Sequence, residues 1–122
     1  MPIPHNYLIE KIKAAWSVGS STEPHRWSPK RAYVGQELTS ALVIQEFLGG
    51  DIFQISLKGV HQYWNQIPNL SLLTIGTDDS EIQAHLKSGT VTRLSRADIL
   101  QDQVIKTRYW RLSNAVIQSL QG

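Results

Sequence analysis

The sequence predicts an α+β domain in which a small antiparallel sheet packs against a central helix, with further helices at the N- and C-terminal ends. Two observations lead to this prediction. Apolar residues recur at helical spacing near the start, middle and end of the chain, and three short β-rich runs follow the middle segment. At 122 residues, without internal repeats, we expect residues 1–122 to form a single domain.

The first predicted helix covers residues 4–17, where Leu8, Ile12 and Trp16 fall on one face. Gly19 is expected to end it. Residues 20–35 are rich in serine, proline and glycine and show no periodicity, which indicates a long ordered loop. Loops of this length are often functional.

The central helix follows this loop, and its apolar positions include Leu38, Leu42 and Phe47. Gly49 and Gly50 are expected to stop it. Strands are predicted at residues 51–58, 61–67 and 70–75, which together suggest an antiparallel meander. A short helix is predicted over residues 77–89, and a closing helical segment over residues 95–121 with Ser95 as its N-cap.

The composition is that of a globular protein, with 41% hydrophobic and 18% charged residues. The absence of cysteine excludes a disulfide framework, a thiolate nucleophile and a thiolate metal site. A net charge of +2 is too small to predict attachment to nucleic acid or a membrane. The opening stretch MPIPHNYLIEKIKAAW has the pattern of neither a signal peptide nor a membrane span, so we expect a cytoplasmic protein.

Three fragments point to a known family: WSPKRAYVGQELTSALVIQEFLGGDI, GVHQYWNQIPN and RYWRL. Together they resemble the YunG family of small bacterial proteins, over most of the chain. The family pattern has a Gly-Gln-Cys turn that opens a helix, then His-Tyr-Trp-Asn, then Val-Asp-Leu-Thr. That order of cysteine, histidine and aspartate is similar to the core of papain and transglutaminase-type hydrolases. The resemblance therefore implies such a core, with a pocket at the start of the central helix.

The sequence departs from the family pattern at each of these three positions. Glu37 stands at the cysteine position, Gln62 at the histidine position and Leu72 at the aspartate position. His61 lies one residue before Gln62, and we expect that only a bulge or a shifted register would bring it into the histidine site. The resemblance therefore implies a pocket but no thiol chemistry.

Glu37 has two interpretations. A glutamate in the first turn of a helix is stabilised by the helix dipole by about 0.3–1 kcal/mol, with no further role. Alternatively, it lies in a former active site, where it acts as a general acid/base or binds a cationic group. Burial would raise its pKa and the helix N-terminus would lower it, so the sequence leaves its charge state open.

Candidate ligand-binding residues surround Glu37 in the predicted fold. His61 is the principal histidine candidate because it adjoins the aromatic strand, although a histidine that only packs or hydrogen-bonds would give the same pattern. The expected ligand-binding residues are Trp27, Gln36, Gln62, Tyr63, Trp64 and Asn65. Successive side chains of that strand alternate between a pocket face and a core face, and the sequence leaves open which is which. Trp16 and Trp110 are expected to pack in the core.

No metal site is predicted, because the four histidines show no ligand spacing, and no cofactor is implied. The basic residues between Arg93 and Arg111 predict a solvated helix of mixed charge instead of a nucleic-acid surface.

Two functional hypotheses remain for the expected small-molecule pocket. In the first, Glu37 transfers protons, His61 or Gln62 orients the substrate, and Trp27, Trp64 and Asn65 shape the cavity. In the second, the domain is a non-catalytic pseudoenzyme that binds a small molecule or a partner protein. Loss of three former catalytic positions favours the second hypothesis, whereas polar replacements at two of them favour the first. The sequence leaves the ligand and the oligomeric state open.

Overall fold

The computed structural model describes residues 4–57, 60–67, 70–73 and 90–121. The predicted α+β class is confirmed. In chain order the elements are α1 (His5–Ala15), a 3-10 turn (Val18–Ser20), α2 (Glu37–Leu48), β1 (Asp51–Leu57), β2 (Val60–Ile67), β3 (Leu70–Leu73), β4 (Thr90–Leu94), α3 (Arg96–Ile99) and α4 (Gln103–Gln121).

The strands form one antiparallel sheet in the order β3-β2-β1-β4. The first three strands agree with the predicted meander, but β4 was not predicted. It pairs with the edge of β1, with Ile52 opposite Leu94 and Ile55 opposite Val91. This pairing joins residues far apart in the chain. The run TVTRL is too short for its local pattern to predict a strand. The helix predicted over residues 77–89 lies outside the described residues.

Helix α2 lies at the centre of the domain, as predicted. Its residues from Thr39 to Ile44 are all buried, because the sheet covers one side of the helix and α1 and α4 cover the other. The buried apolar residues of this core are Leu8, Ile12, Ala41, Leu42, Val43, Ile44, Ile52, Ile67, Tyr109, Leu112 and Val116.

Gly49 and Gly50 end α2, as predicted. Both have positive φ angles, of 76° and 83°, where side chains are disfavoured. A Cβ atom on Gly50 would also collide with the carbonyl oxygen of Gln66 in β2. The two glycines therefore allow the chain to turn directly from the helix into β1.

Helix α1 is shorter than predicted. It ends at Ala15, and Gly19 lies in the following 3-10 turn instead of ending the helix. Trp16 packs against the core as expected, and its Nε1 donates a hydrogen bond to Ser40 Oγ (2.9 Å). The core placement predicted for Trp110 is wrong, because its side chain is 53% exposed. On α4 the buried aromatic residue is its neighbour, Tyr109.

The closing segment consists of two helices. Ser95 caps α3 as predicted, since its Oγ accepts a hydrogen bond from Asp98 N (3.4 Å). Asp102 then starts α4, where its Oδ1 accepts from the backbone N–H groups of Val104 (2.9 Å) and Ile105 (3.2 Å). Within the described ranges, no helix combines the length and the apolar character needed to cross a bilayer.

Candidate functional site

A cavity of about 550 Å³ opens beside the N-terminus of α2. Its volume falls within the range of about 300–1,000 Å³ typical of small-molecule sites. The lining residues come from the loop before α2, from α2 itself, from β2 and from α4: Thr22, Glu23, Arg26, Gly35, Glu37, Leu38, His61, Tyr63 and Ile105.

Glu37 is the first residue of α2 and is half-buried at this cavity. Burial raises the pKa of its carboxyl above the ordinary value of 4.5, and the nearby charge of Glu23 raises it further. Among the described residues, no hydrogen bond or salt bridge satisfies the Glu37 carboxylate. The group is therefore available to a ligand.

Gly35 brings the loop close to the start of α2. Its φ angle is +73°, and a Cβ atom at this position would collide with the Ser21 hydroxyl and lie 2.7 Å from Glu23 N. The contact is tightened by a hydrogen bond from Thr22 N to Gly35 O (2.9 Å). Only glycine fits this close approach, which places Glu23 and Glu37 in the same cavity.

Gln36 does not line the cavity, although we predicted that it binds ligand. Its side chain is 1% exposed and lies in a polar network beneath the loop. Its Oε1 accepts from Ser20 Oγ (2.7 Å), and its Nε2 donates to Ser17 O (3.0 Å). The residue therefore fixes the loop to the helix start.

The opposite side of the cavity is formed by β2. The β1–β2 pairing runs without a bulge from Asp51 opposite Gln66 to Leu57 opposite Val60. In this regular register His61 lines the cavity, whereas Gln62 lies on the other face of the sheet. His61 therefore reaches this cavity without a bulge or a shifted register.

His61 and Tyr63 are each oriented by a cross-strand contact from β1. Ser56, which is paired with His61, places its Oγ 2.8 Å from His61 Nδ1. The tautomer of the imidazole decides which of these two atoms donates. Gln54 is paired with Tyr63 and donates from Nε2 to the tyrosine hydroxyl oxygen (3.1 Å).

The remaining predicted ligand-binding residues lie away from this cavity. Trp64 is 4% exposed and stacks on Phe53, with ring centroids 5.1 Å apart, on the sheet face opposite His61. Asn65 is also buried, and its Nδ2 donates to Ala41 O in α2 (2.9 Å). Trp27 Nε1 donates to Ala32 O within the loop (2.9 Å). These three side chains therefore stabilise the sheet, the helix contact and the loop.

Sequence reasoning missed Glu23 and Arg26, which line the cavity and form a salt bridge (3.3 Å). They lie in the loop predicted to be functional, but only the fold of that loop around Gly35 brings Glu23 close to Glu37. Nothing in the local pattern distinguishes Glu23 from an ordinary surface glutamate.

The cavity combines a carboxyl, an imidazole and a phenol, from Glu37, His61 and Tyr63. Such groups bind polar ligands and transfer protons. Over the part of the chain that the structure describes, no three acidic or histidine side chains are grouped as ligands for a metal ion.

The fold and the cavity can be compared with known proteins. No curated protein and no solved structure matches the chain. A family model described as YunG protein matches residues 5–121. Because this match covers nearly the whole sequence, the chain belongs to the YunG family.

Proposed function

We propose that the protein binds a small molecule in the cavity at the start of α2 and that Glu37 exchanges a proton with it. One observation carries this proposal: the Glu37 carboxyl is half-buried, has a raised pKa and is bound by no described residue. A raised pKa makes the carboxylate a stronger general base, and it keeps more of the carboxyl protonated and so able to donate a proton.

His61 and Tyr63 hold the ligand from the other side. Within the described residues, Glu37 forms neither a hydrogen bond nor a salt bridge with His61, so a ligand can enter between them. Tyr63 accepts a hydrogen bond from Gln54, which leaves its own O–H proton available for a ligand oxygen or nitrogen. The two aromatic side chains thereby orient the molecule from which Glu37 removes, or to which it adds, a proton.

We further propose that this pocket corresponds to the active site of a papain-like or transglutaminase-like hydrolase core. The family cysteine would stand at Glu37, at the N-terminus of a helix, facing a strand that carries a histidine. Glutamate at this position cannot form a thioester, so the chemistry proposed here is proton transfer.

A nitrobenzisoxazole tests the proposal, because removal of one ring proton by a carboxylate base breaks the N–O bond and releases a coloured phenolate. The wild type is expected to give a saturable rate that increases with pH as Glu37 ionises. Glu37→Gln is expected to lower that rate by roughly 100-fold, within the range typical of a lost general base. Glu10→Gln, an exposed carboxyl on α1, is the control and should leave the rate unchanged.

The second candidate function is a non-catalytic binding domain. It is favoured by Gln62, which stands at the family histidine position but lies on the sheet face away from the cavity. Equal rates for the wild type and Glu37→Gln, together with unchanged binding of the probe, would support this candidate and remove Glu37 from the mechanism.

A further inference from the structure

A second cavity, of about 310 Å³, lies along the first turns of α4 and shares no lining residue with the first. It is formed by one face of the helix, lined by Gln103, Val104, Thr107, Arg108 and Arg111. Two of its five lining side chains are arginines, so its character is basic. Val104, which is 60% exposed, adds an apolar surface.

Arg108 keeps a donor nitrogen that is not used within the described part of the chain. Its Nη1 donates to Val18 O in the 3-10 turn (3.3 Å), which fixes the guanidinium group. Its Nε is shielded from solvent and has no acceptor, and its Nη2 donates to none of the described residues. Because Nε is shielded, Nη2 is the Arg108 nitrogen that is left to donate to an anion in this cavity.

Arg111 lies one helical turn after Arg108 and is held by the same 3-10 turn. A Cβ atom on Gly19 would lie 3.2 Å from Arg111 Cδ and 3.5 Å from its Nη1, so the side chain packs directly across the glycine. Arg108 is therefore fixed by a hydrogen bond, and the exposed Arg111 packs beside it across Gly19.

Within the described part of the chain, neither arginine has an acidic partner. The single salt bridge among the described residues joins Glu23 to Arg26, in the other cavity. The nearest acid along the chain, Asp102, accepts from the N–H groups of Val104 and Ile105 as the cap of α4. Two positive charges three residues apart on a helix repel each other, and an anion between them would remove that repulsion.

We propose that this cavity is a binding site for an oxyanion, namely the phosphoryl or carboxylate group of a small molecule. Nη2 of Arg108 donates to one oxygen of the anion, and Arg111 neutralises the remaining charge. Val104 contacts the apolar part of the same molecule. The proposal is independent of proton transfer by Glu37.

Heteronuclear NMR of the arginine Nε–H groups tests this site. The whole chain is titrated with inorganic phosphate, and separately with acetate, while sodium chloride keeps the ionic strength constant. Saturable shifts of the Arg108 and Arg111 signals are expected, with Arg31, an exposed loop arginine, as the internal reference. Saturation by phosphate alone assigns a phosphoryl group, and saturation by acetate assigns a carboxylate.

Two variants test whether the NMR shifts come from anion binding at these two arginines. Arg111→Gln and Arg108→Lys are each expected to weaken phosphate or acetate binding by roughly tenfold, the second because lysine keeps the charge but loses the planar group that the hydrogen bond to Val18 O orients. Thermal unfolding without anion verifies that each variant folds. Shifts that do not saturate, that are equally large at Arg31, or that persist unchanged in the folded Arg111→Gln variant mean an adventitious ion only and overturn the proposal.

Discussion

The carboxylate of Glu23 raises the pKa of Glu37, although the two residues belong to different segments, a loop and the first turn of α2. Burial is the larger cause of the raised pKa, and the charge of Glu23 adds to it. Their proximity depends on Gly35, whose lack of a side chain lets the loop approach the helix start. The part of the raised Glu37 pKa that comes from Glu23 therefore depends on the glycine at position 35.

Replacing Glu37 is expected to stabilise the protein at alkaline pH. Because its pKa is raised, the folded state binds the proton more tightly than the unfolded state does, and stability is lost as pH rises through the folded pKa. Glu37→Gln avoids this loss. Its Tm should exceed that of the wild type by a few degrees near pH 8, corresponding to about 1 kcal/mol or less because solvent screens the half-exposed group.

Near pH 4 the wild-type carboxyl is largely protonated, so the two melting temperatures should converge. Thermal unfolding at both pH values measures the difference, with Glu10→Gln as the control for loss of an exposed carboxyl. A Glu37→Gln variant less stable than the wild type near pH 8 would show that the helix N-terminus stabilises the ionised glutamate.

Removing the charge of Glu23 is expected to lower the pKa of Glu37 without restoring its ordinary value. Burial, the larger cause, remains in Glu23→Gln, so a raised pKa should persist. The measurement is the NMR titration of the Glu37 carboxyl carbon in the wild type and the variant. An unchanged titration curve would mean that the two carboxylates are not coupled.

Gly35→Ala is expected to destabilise the fold more than Gly49→Ala. Both glycines have positive φ, 73° and 76°, so alanine carries a backbone cost at each position, of about 1–3 kcal/mol. At Gly49 a Cβ atom meets nothing within 4 Å, whereas at Gly35 it collides with Ser21 and the backbone of Glu23. Chemical denaturation measures both losses, and a loss in Gly35→Ala no larger than this backbone cost would contradict the close approach at Gly35.

Local sequence patterns were sufficient to predict the central helix, its double-glycine end and the Ser95 cap. Each of these depends on residues a few positions apart, where periodicity and turn chemistry act. Strand β4 and the exposure of Trp110 depend on which distant segments pack together. Local sequence patterns do not predict such long-range packing.

The candidate site was likewise predicted only in part from the sequence. The resemblance to the YunG family pointed to Glu37 and to the strand that carries His61, and both line the cavity. It did not indicate which face of β2 lines the cavity, so Trp64 was expected there although it packs on the opposite face. A shift of one residue along a strand exchanges its faces, and the pairing with β1 is what fixes His61 toward Glu37.

Gln36→Leu is expected to lower the free energy of unfolding by roughly 1–3 kcal/mol, because it removes the partners of buried polar groups. Leucine keeps most of the side-chain volume but loses the hydrogen bonds with Ser20 and Ser17. Gln118→Leu, at an exposed position of α4, is the control and should change stability by less than about 0.5 kcal/mol. Normal stability of Gln36→Leu combined with loss of probe binding would restore Gln36 as a ligand-binding residue.

Ser56→Ala is expected to change the state of His61 while leaving the fold intact. The Ser56 hydroxyl is 2.8 Å from Nδ1, so it favours one imidazole tautomer and one ring orientation toward the cavity. Without it, the nitrogen resonances of His61 should move toward those of a free imidazole, and stability should change by less than about 0.5 kcal/mol because the contact is exposed.

His61→Asn assigns the His61 signals among the four histidines. If His61 orients the ligand, Ser56→Ala should also weaken binding of the benzisoxazole probe, while the pH dependence set by Glu37 stays the same. A changed His61 tautomer with unaltered probe binding would show that Glu37 acts without help from His61 and would confine the proton-transfer site to the helix side of the cavity.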